Sequence, residues 1–309
     1  MTAPSLPLLG ADEMSELVPP ADAVGALEAY LRGQRLPQHP RSVVDVAAGQ
    51  LLLMPAQGER TVGVKVLSVA PGNPDRGRER VQGVYLLLDA STLSPTALLD
   101  GAALTALRTP AVSALSATRL AVEDAGELVV FGSGRQAWGH VLALRAVRPV
   151  RRVRVVGRDP ARAAALVDRV RGLGLVAEVA QPDAVAGADL VCTCTTSAEP
   201  LFDGSLLPSH AHVMAVGSHE PHAREVDTET VRRSWLAVED RATALREAGD
   251  VVVPLREGAV DEGHLRADLP ELIAGAGRAD RLTLFKSVGM AWEDLVVATL
   301  VAERREAAR

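Results

Sequence analysis

Short apolar runs and stretches of helical spacing follow one another along the whole chain, and their arrangement changes near Glu127. Before that point the pattern predicts strands over 51–54, 62–69 and 84–89, separated by glycine and proline. A helix is expected ahead of them over 21–31, and another, rich in Ala, Leu and Thr, after them over 102–120. Beyond Glu127 strand and helix alternate. Strands are predicted over 128–131, 153–156, 175–179, 190–194, 212–216 and 236–238, with helices over 137–145 and 160–170 among them. A last strand over 282–287 and a last helix over 291–304 close the chain. Such alternation indicates a parallel sheet with crossover helices, an α/β fold of the doubly wound Rossmann kind.

Length and composition narrow the function classes. The 309 residues suit two ordinary domains, and 48% hydrophobic with 23% charged residues is a globular balance. No apolar run approaches the roughly 18 residues of a membrane span, and the first residues lack a basic segment followed by a long apolar one. A cytoplasmic protein without a membrane partner is expected. A net charge of −6 without a basic stripe argues against nucleic acid as a partner. The two cysteines, Cys192 and Cys194, are read as lying on alternate faces of their strand and too close in sequence for a good disulfide. They are expected to be ordinary core thiols. His210, His212, His219 and His222 crowd one stretch, but no Cys or carboxylate completes a zinc spacing, so no metal site is expected.

The most specific local signal is Gly132-Ser133-Gly134-Arg135-Gln136-Ala137, which fits G-x-G-x-x-A between a buried strand and a helix. Gly132 permits the tight turn, Gly134 lets backbone approach a pyrophosphate, and Ala137 lets helix pack closely on strand. The helix N-terminus offers unpaired N–H groups to phosphate. The end of the next strand reads Gly157-Arg158-Asp159. An acid that would bond a ribose 2′-hydroxyl is replaced by Gly157, and Arg158 suits a 2′-phosphate, so NADPH is expected in preference to NADH. Asp159 is either the N-cap of a helix beginning at Pro160 or a ribose contact.

Four segments taken together resemble the ornithine cyclodeaminase/mu-crystallin family. They are Gly63-Val64-Lys65-Val66 with Pro71-Gly72-Asn73-Pro74; Leu104-Thr105-Ala106-Leu107-Arg108-Thr109; the Gly132–Ala137 loop; and Phe285-Lys286-Ser287-Val288-Gly289 leading into Glu293-Asp294. The resemblance implies an α+β substrate-binding and dimerisation domain from residues 1–120, completed by 286–309. A Rossmann domain over 121–285 would be inserted in it, with a homodimer formed through the N-terminal part and an active site in the cleft between domains. It also implies that Arg41, Lys65 and Arg108 bind a substrate carboxylate, and that Thr195, Thr196 and Ser197 approach the nicotinamide ribose. The residues themselves agree in part: a lysine inside an otherwise apolar strand needs a partner, and an arginine in an Ala/Leu-rich helix can hold a carboxylate bidentately. Internal salt bridges are the alternative for both.

The chain departs from the cyclodeaminases where they carry a loop Asp thought to handle amino groups; here that position is His219. The segment is closer to the mu-crystallin and ketimine reductase branch, which reduces cyclic imines bearing a carboxylate such as pyrroline-2-carboxylate and piperideine-2-carboxylate. An imidazole has a suitable pKa range to donate the imine proton or orient the water that does, so His219 joins Lys65 as a candidate catalytic residue. An amino-acid dehydrogenase, a true cyclodeaminase (opposed by His219) and an NADPH-dependent small-ligand binding protein are the alternatives. Glu239-Asp240-Arg241 is read as surface charge, and Lys286 as a hinge residue with cofactor contact.

Overall fold

A computed structural model describes residues 6–33, 39–276 and 281–309. The chain forms two compact units, one from Met1–Thr109 with Met290–Arg309, the other from Pro110–Gly289. In chain order the first unit contributes β1 (Leu8–Leu9), α1 (Ala11–Leu17), α2 (Pro20–Arg32), β2 (Ser42–Val46), β3 (Gly49–Gln57), β4 (Thr61–Val69), β5 (Val81–Asp89) and β6 (Pro95–Asp100). Helix α3 (Gly101–Leu120) begins in this unit and continues past Pro110. The C-terminal helix, Ala291–Ala307, completes it.

The described strands of this unit make a six-stranded sheet in the order β1-β6-β5-β4-β3-β2, antiparallel except where β1 joins β6. Register decides what shares its inner face. Met54, Lys65, Tyr85, Leu99 and Leu9 stand opposite one another on successive strands, and all five are buried. The C-terminal helix packs on β3, β4 and β5, and against α2, where Trp292 stacks on Tyr30 with ring centroids 5.0 Å apart. Lysine thus sits in the middle of an apolar row, under a helix that must answer its charge.

Strands β1, β2 and β6 and helix α1 are additions to the elements expected from sequence in this unit. Strand β2 carries Val43, Val44 and Val46 exposed at the sheet edge, so its residues give no alternation of buried and solvent-facing side chains to read. Strand β6 opens on Pro95, which a strand tolerates at its first residue.

The second unit runs β7 (Glu127–Phe131), α4 (Arg135–Val147), β8 (Arg152–Val156), α5 (Pro160–Arg171), β9 (Val176–Val179), β10 (Leu190–Thr193), β11 (His212–Ala215), α6 (Thr228–Arg233), β12 (Trp235–Val238), α7 (Arg241–Glu247), α8 (Gly249–Arg256), β13 (Leu265–Asp268), α9 (Leu269–Ile273) and β14 (Thr283–Lys286). Its described strands form one parallel eight-stranded sheet, ordered β13-β12-β14-β11-β10-β7-β8-β9. This is the doubly wound Rossmann arrangement, with chain direction across the sheet reversing between β7 and β10. Leu128, Val129, Val130, Val191 and Val213 are completely buried, as a sheet covered on both faces requires.

Strand ends are aligned. Val156, Phe131, Thr193, Ala215, Lys286 and Val238 occupy one register row at the carboxyl edge of the sheet. The loops after β7, β8, β10, β11 and β14 therefore leave the sheet side by side. Ligands of such sheets bind outside the carboxyl ends, at the point of reversal. Among the described residues, no helix is long and apolar enough to cross a membrane.

Candidate functional site

At the reversal point β7 ends at Phe131, and Gly132 turns the chain with φ of 112°. That conformation suits glycine, and a Cβ there would lie 2.8 Å from the Cys194 carbonyl oxygen. Gly134 is the N-cap of α4 and provides no side chain to cap it, with open space where its Cβ would be. The first turn of α4, Arg135, Gln136 and Ala137, follows directly on this glycine turn. Ala137 is fully buried against the sheet. Ser133 lies close to Gly157, whose Cβ would be 3.8 Å from the Ser133 hydroxyl oxygen. The arrangement fits a dinucleotide pyrophosphate: a glycine turn, a helix N-terminus and open space over Gly134.

After β8, Asp159 is the N-cap of α5, its carboxylate accepting from the Ala161 and Arg162 N–H groups at 2.9 and 3.1 Å. Asp159 thus fills the helix-cap role through Oδ1. Arg158 beside it is exposed.

The loops after β10 and β11 are tied by a residue that sequence reasoning passed over. Buried Glu225 accepts from the Thr193 hydroxyl at 2.8 Å, the Thr195 N–H at 2.7 Å, the Thr195 hydroxyl at 2.6 Å and the Gly217 N–H at 2.6 Å. Burial raises its pKa, and the neighbouring Lys286 charge opposes that rise. Asp250 accepts from the Glu225 and Val226 N–H groups and pairs with Lys286 at 2.7 Å, both side chains being fully buried. Lys286 also donates to the Ser218 carbonyl at 2.6 Å. Lys286 is therefore a buried anchor for the loop after β11 rather than a hinge. Thr195 points its hydroxyl at Glu225, Ser197 donates to the Glu199 carbonyl, and Thr196 is exposed. His219 is exposed in the loop that Ser218 and Gly217 hold.

Glu239 is another correction. It is buried, not surface charge, and accepts from the Ser287 hydroxyl at 2.5 Å and the Val288 and Gly289 N–H groups at 2.9 and 2.7 Å. A carboxylate directly after a central strand is placed to catch the N–H groups of the next loop, which composition alone does not show. The crowded histidines also separate. His212 is buried between the Ser116 and Thr283 hydroxyls, and burial followed by the Arg148 charge lowers its pKa to about 3. His210 pairs with Asp189 and His222 with Glu220.

The cysteines contradict the sequence reading. Residues two apart share one face of a strand, and β10 ends at Thr193, leaving Cys194 in the turn. The Cys192 and Cys194 sulfurs lie 3.4 Å apart, with His140 Nδ1 3.5 Å from Cys194 Sγ.

In the first unit, Lys65 and Arg108 meet two carboxylates of the C-terminal helix. Lys65 Nζ is 2.6 Å from Asp294 Oδ2 and donates to the Thr105 hydroxyl at 3.3 Å. Arg108 donates through Nε to Asp294 at 3.1 Å and through Nη1 to Glu293 at 2.6 Å. Thr105 and Arg108, three residues apart on α3, share the helix face that meets them. Lys65, Glu293 and Asp294 are completely buried and Arg108 nearly so. Burial lowers the Lys65 pKa from 10.5 to about 8, the Asp294 charge resisting and the Arg108 charge adding to the fall. Tyr85, its neighbour in register, is held well above the ordinary tyrosine value by burial and then by Asp294. Arg41 is half-buried just ahead of β2. The structure thus brings Lys65 and Arg108 together, with Glu293 and Asp294 as partners.

A parallel sheet with this glycine turn at its switch point defines a Rossmann dinucleotide-binding protein. Residues 10–309 match the sequence profile of the ornithine cyclodeaminase/mu-crystallin family, and the chain belongs to that family. It is 36% identical over 295 residues to the ketimine reductase mu-crystallin of Mus musculus, covering 93% of this chain and 91% of that one. Among solved structures it is similar to Thermococcus litoralis Delta(1)-pyrroline-2-carboxylate reductase in complex with NADH and L-proline, with TM-score 0.91, 32% identity and 98% of each chain covered. It is also similar to an archaeal alanine dehydrogenase dimer with bound NAD, with TM-score 0.91, 28% identity, and 98% of this chain and 97% of that one covered.

Asp294→Asn tests the charge arrangement. Removing one member of a buried set leaves Lys65 and Arg108 under-compensated, so stability should fall by about 3–5 kcal/mol in urea unfolding. The Lys65 pKa should drop further below about 8, because the carboxylate that raises it is gone. The pH sign follows from linkage: the folded pKa is depressed, so burying Lys65 opposes folding below pH 8, and the cost fades as pH rises towards 10.5. A variant as stable as the parent would show that the pairing contributes nothing.

Proposed function

We propose that the protein is an oxidoreductase that reduces the C=N bond of a cyclic ketimine carboxylate, of the pyrroline-2-carboxylate or piperideine-2-carboxylate type, with NADPH preferred over NADH. The observation that carries this reading is the buried Lys65–Asp294–Arg108–Glu293 set in a chain that also builds a dinucleotide turn at Gly132. Reduction of a small anionic imine needs cationic recognition of its carboxylate, a proton for its nitrogen and a hydride source. A nicotinamide bound by the second unit supplies the hydride.

Carboxylate recognition falls to Lys65 and Arg108, with Arg41 as a third cation. Asp294 and Glu293 fix the two buried cations in place, so little side-chain freedom is lost on binding. The ammonium of Lys65, with a pKa of about 8, is poised to give a proton near neutral pH. His219, exposed in the loop after β11, is the alternative proton donor. Glu225 and Asp250 hold the loops that carry Thr195 and His219, which is a positioning role. Arg158, exposed after β8 where an acid would otherwise meet a ribose 2′-hydroxyl, recognises the 2′-phosphate. The protein acts as a homodimer through its first unit; exposed Val43, Val44 and Val46 on edge strand β2 are suited to cover by a second copy.

An amino-acid dehydrogenase, making the imine from a keto acid and ammonia, is a second reading favoured by the similarity to alanine dehydrogenase. The two separate in one assay. Loss of reduced-nicotinamide absorbance is expected with preformed cyclic imine and NADPH, more slowly with NADH, and weakly with pyruvate plus ammonia. Arg158→Ala should raise KM for NADPH by about tenfold and leave NADH unaffected. Consumption only with keto acid and ammonia would overturn the cyclic-imine assignment.

The proton donor is separable by pH. Lys65→Met should lower kcat/KM by about 10²–10⁴. In the parent, kcat/KM should decline as pH rises past about 8, with the Lys65 ammonium. His219→Ala should lose rate mainly above neutrality if the imidazole handles the proton; an unchanged pH profile in that variant removes His219 and leaves Lys65.

A further inference from the structure

Cys192, Cys194 and His140 form a cluster that the proposed reaction does not use. Cys192 is fully buried at the end of β10, and Cys194 is partly exposed in the turn beyond it. Their sulfurs are 3.4 Å apart, nearly in contact. His140, fully buried in the second turn of α4, has Nδ1 3.5 Å from Cys194 Sγ and 2.8 Å from the Gln136 carbonyl. Its Nε2 meets the Ser113 hydroxyl at 2.9 Å. A Cβ at Gly132 would fall 2.8 Å from the Cys194 carbonyl, so the cysteine backbone forms the floor of the dinucleotide turn.

We infer that Cys194 and Cys192 are a peroxide-sensitive dithiol, with Cys194 the attacking sulfur, Cys192 the resolving one and His140 the residue that stabilises the attacking thiolate. Burial by itself raises the Cys194 pKa, but the hydrogen bond from Cys192 and the His140 charge outweigh it and bring it to about 5. Burial pushes the Cys192 thiol well above its ordinary value, which suits a proton donor to its neighbour. The His140 pKa is raised in spite of burial, by Cys194 and the Gln136 carbonyl. A thiolate that is both low in pKa and reachable is the kind that oxidants attack.

The chemistry balances with hydrogen peroxide as oxidant. The Cys194 thiolate attacks the O–O bond, an S–O bond forms, and hydroxide leaves and is protonated to water. The sulfur is oxidised to a sulfenic acid as the peroxide is reduced. Cys192 then attacks the Cys194 sulfur, the S–S bond forms, the S–O bond breaks, and the Cys192 proton leaves with the hydroxide as a second water. The sulfurs must close from 3.4 Å to about 2.05 Å, a movement of the Cys194 turn rather than of the sheet.

A metal is the competing use of these three side chains, whose ligand atoms lie within 4.8 Å of one another. His140 argues against it. Nδ1 is the nitrogen nearest the sulfurs and faces the Gln136 carbonyl at hydrogen-bond distance, so it carries the proton, and a metal would displace it.

The chain has two cysteines, which makes the test clean. Full-length protein is treated with hydrogen peroxide, followed by thiol titration and intact mass. Loss of both thiols with loss of two hydrogen masses, reversed by dithiothreitol, is expected. Cys192→Ser should instead accumulate a Cys194 sulfenic acid trapped by dimedone, and Cys194→Ser should leave Cys192 reduced. His140→Asn should slow Cys194 oxidation by at least about tenfold, through loss of thiolate. Two thiols surviving peroxide, a disulfide joining two chains, or stoichiometric zinc in the purified protein would overturn the inference. Near-isosteric serine variants that keep the parent's circular dichroism separate loss of chemistry from loss of fold.

Discussion

Two cations and two carboxylates, Lys65, Arg108, Glu293 and Asp294, are enclosed in the first unit with almost no access to water. Desolvating four charges is costly, and only mutual pairing at hydrogen-bond distances offsets it. That demand fixes much else. The C-terminal helix must return to β4, because it alone brings Glu293 and Asp294. Helix α3 must present Thr105 and Arg108 on one face. The residues facing Lys65 in register, Met54 and Tyr85, must be apolar or un-ionised. An arrangement so expensive to bury has little structural advantage over packed hydrophobic residues. It realises the internal salt bridges that the sequence left open as the alternative for both cations, and holds each of them in one place.

In the second unit the corresponding constraint is the alignment of parallel strand ends. Because Val156, Phe131, Thr193, Ala215 and Lys286 stop in one row, the glycine turn, Arg158 and the loop with His219 emerge along one edge. Three buried carboxylates then tie the loops: Glu225 and Glu239 accept backbone N–H groups just past the ends of β10, β11 and β14, and Asp250 accepts those of Glu225 and Val226 further along the loop after β11. Lys286 compensates Asp250. Positioning is thus done by buried charge beneath the edge, while the exposed residues Arg158, Thr196 and His219 remain at its surface.

Much of the parallel sheet was legible in the sequence, since its strands are continuous apolar runs closed by turn residues, and the Gly132 turn announced itself by spacing. Lys65 was legible as a charge in an apolar strand. Its partners were not, because Glu293 and Asp294 lie more than two hundred residues away and no local pattern joins them. Glu239 looked like an ordinary surface acid; only its place directly after β12 marks it as an acceptor, and Glu225, ten residues past the end of β11, carries no such mark. Strand β2 was missed because its exposed valines lack the alternation that marks a half-buried strand. The cysteines were misread through a period error: residues two apart lie on the same face, and that is why their sulfurs meet.

Carboxylate recognition by Lys65 requires an ammonium that titrates and responds to an anion. The direct measurement is its ammonium titration by nitrogen-detected NMR, with and without pyrrole-2-carboxylate as an unreactive planar analogue. A pKa of about 8 in the free protein, rising when the carboxylate binds, is the predicted result. A value near the ordinary lysine pKa of about 10.4, unmoved by the analogue, would contradict it.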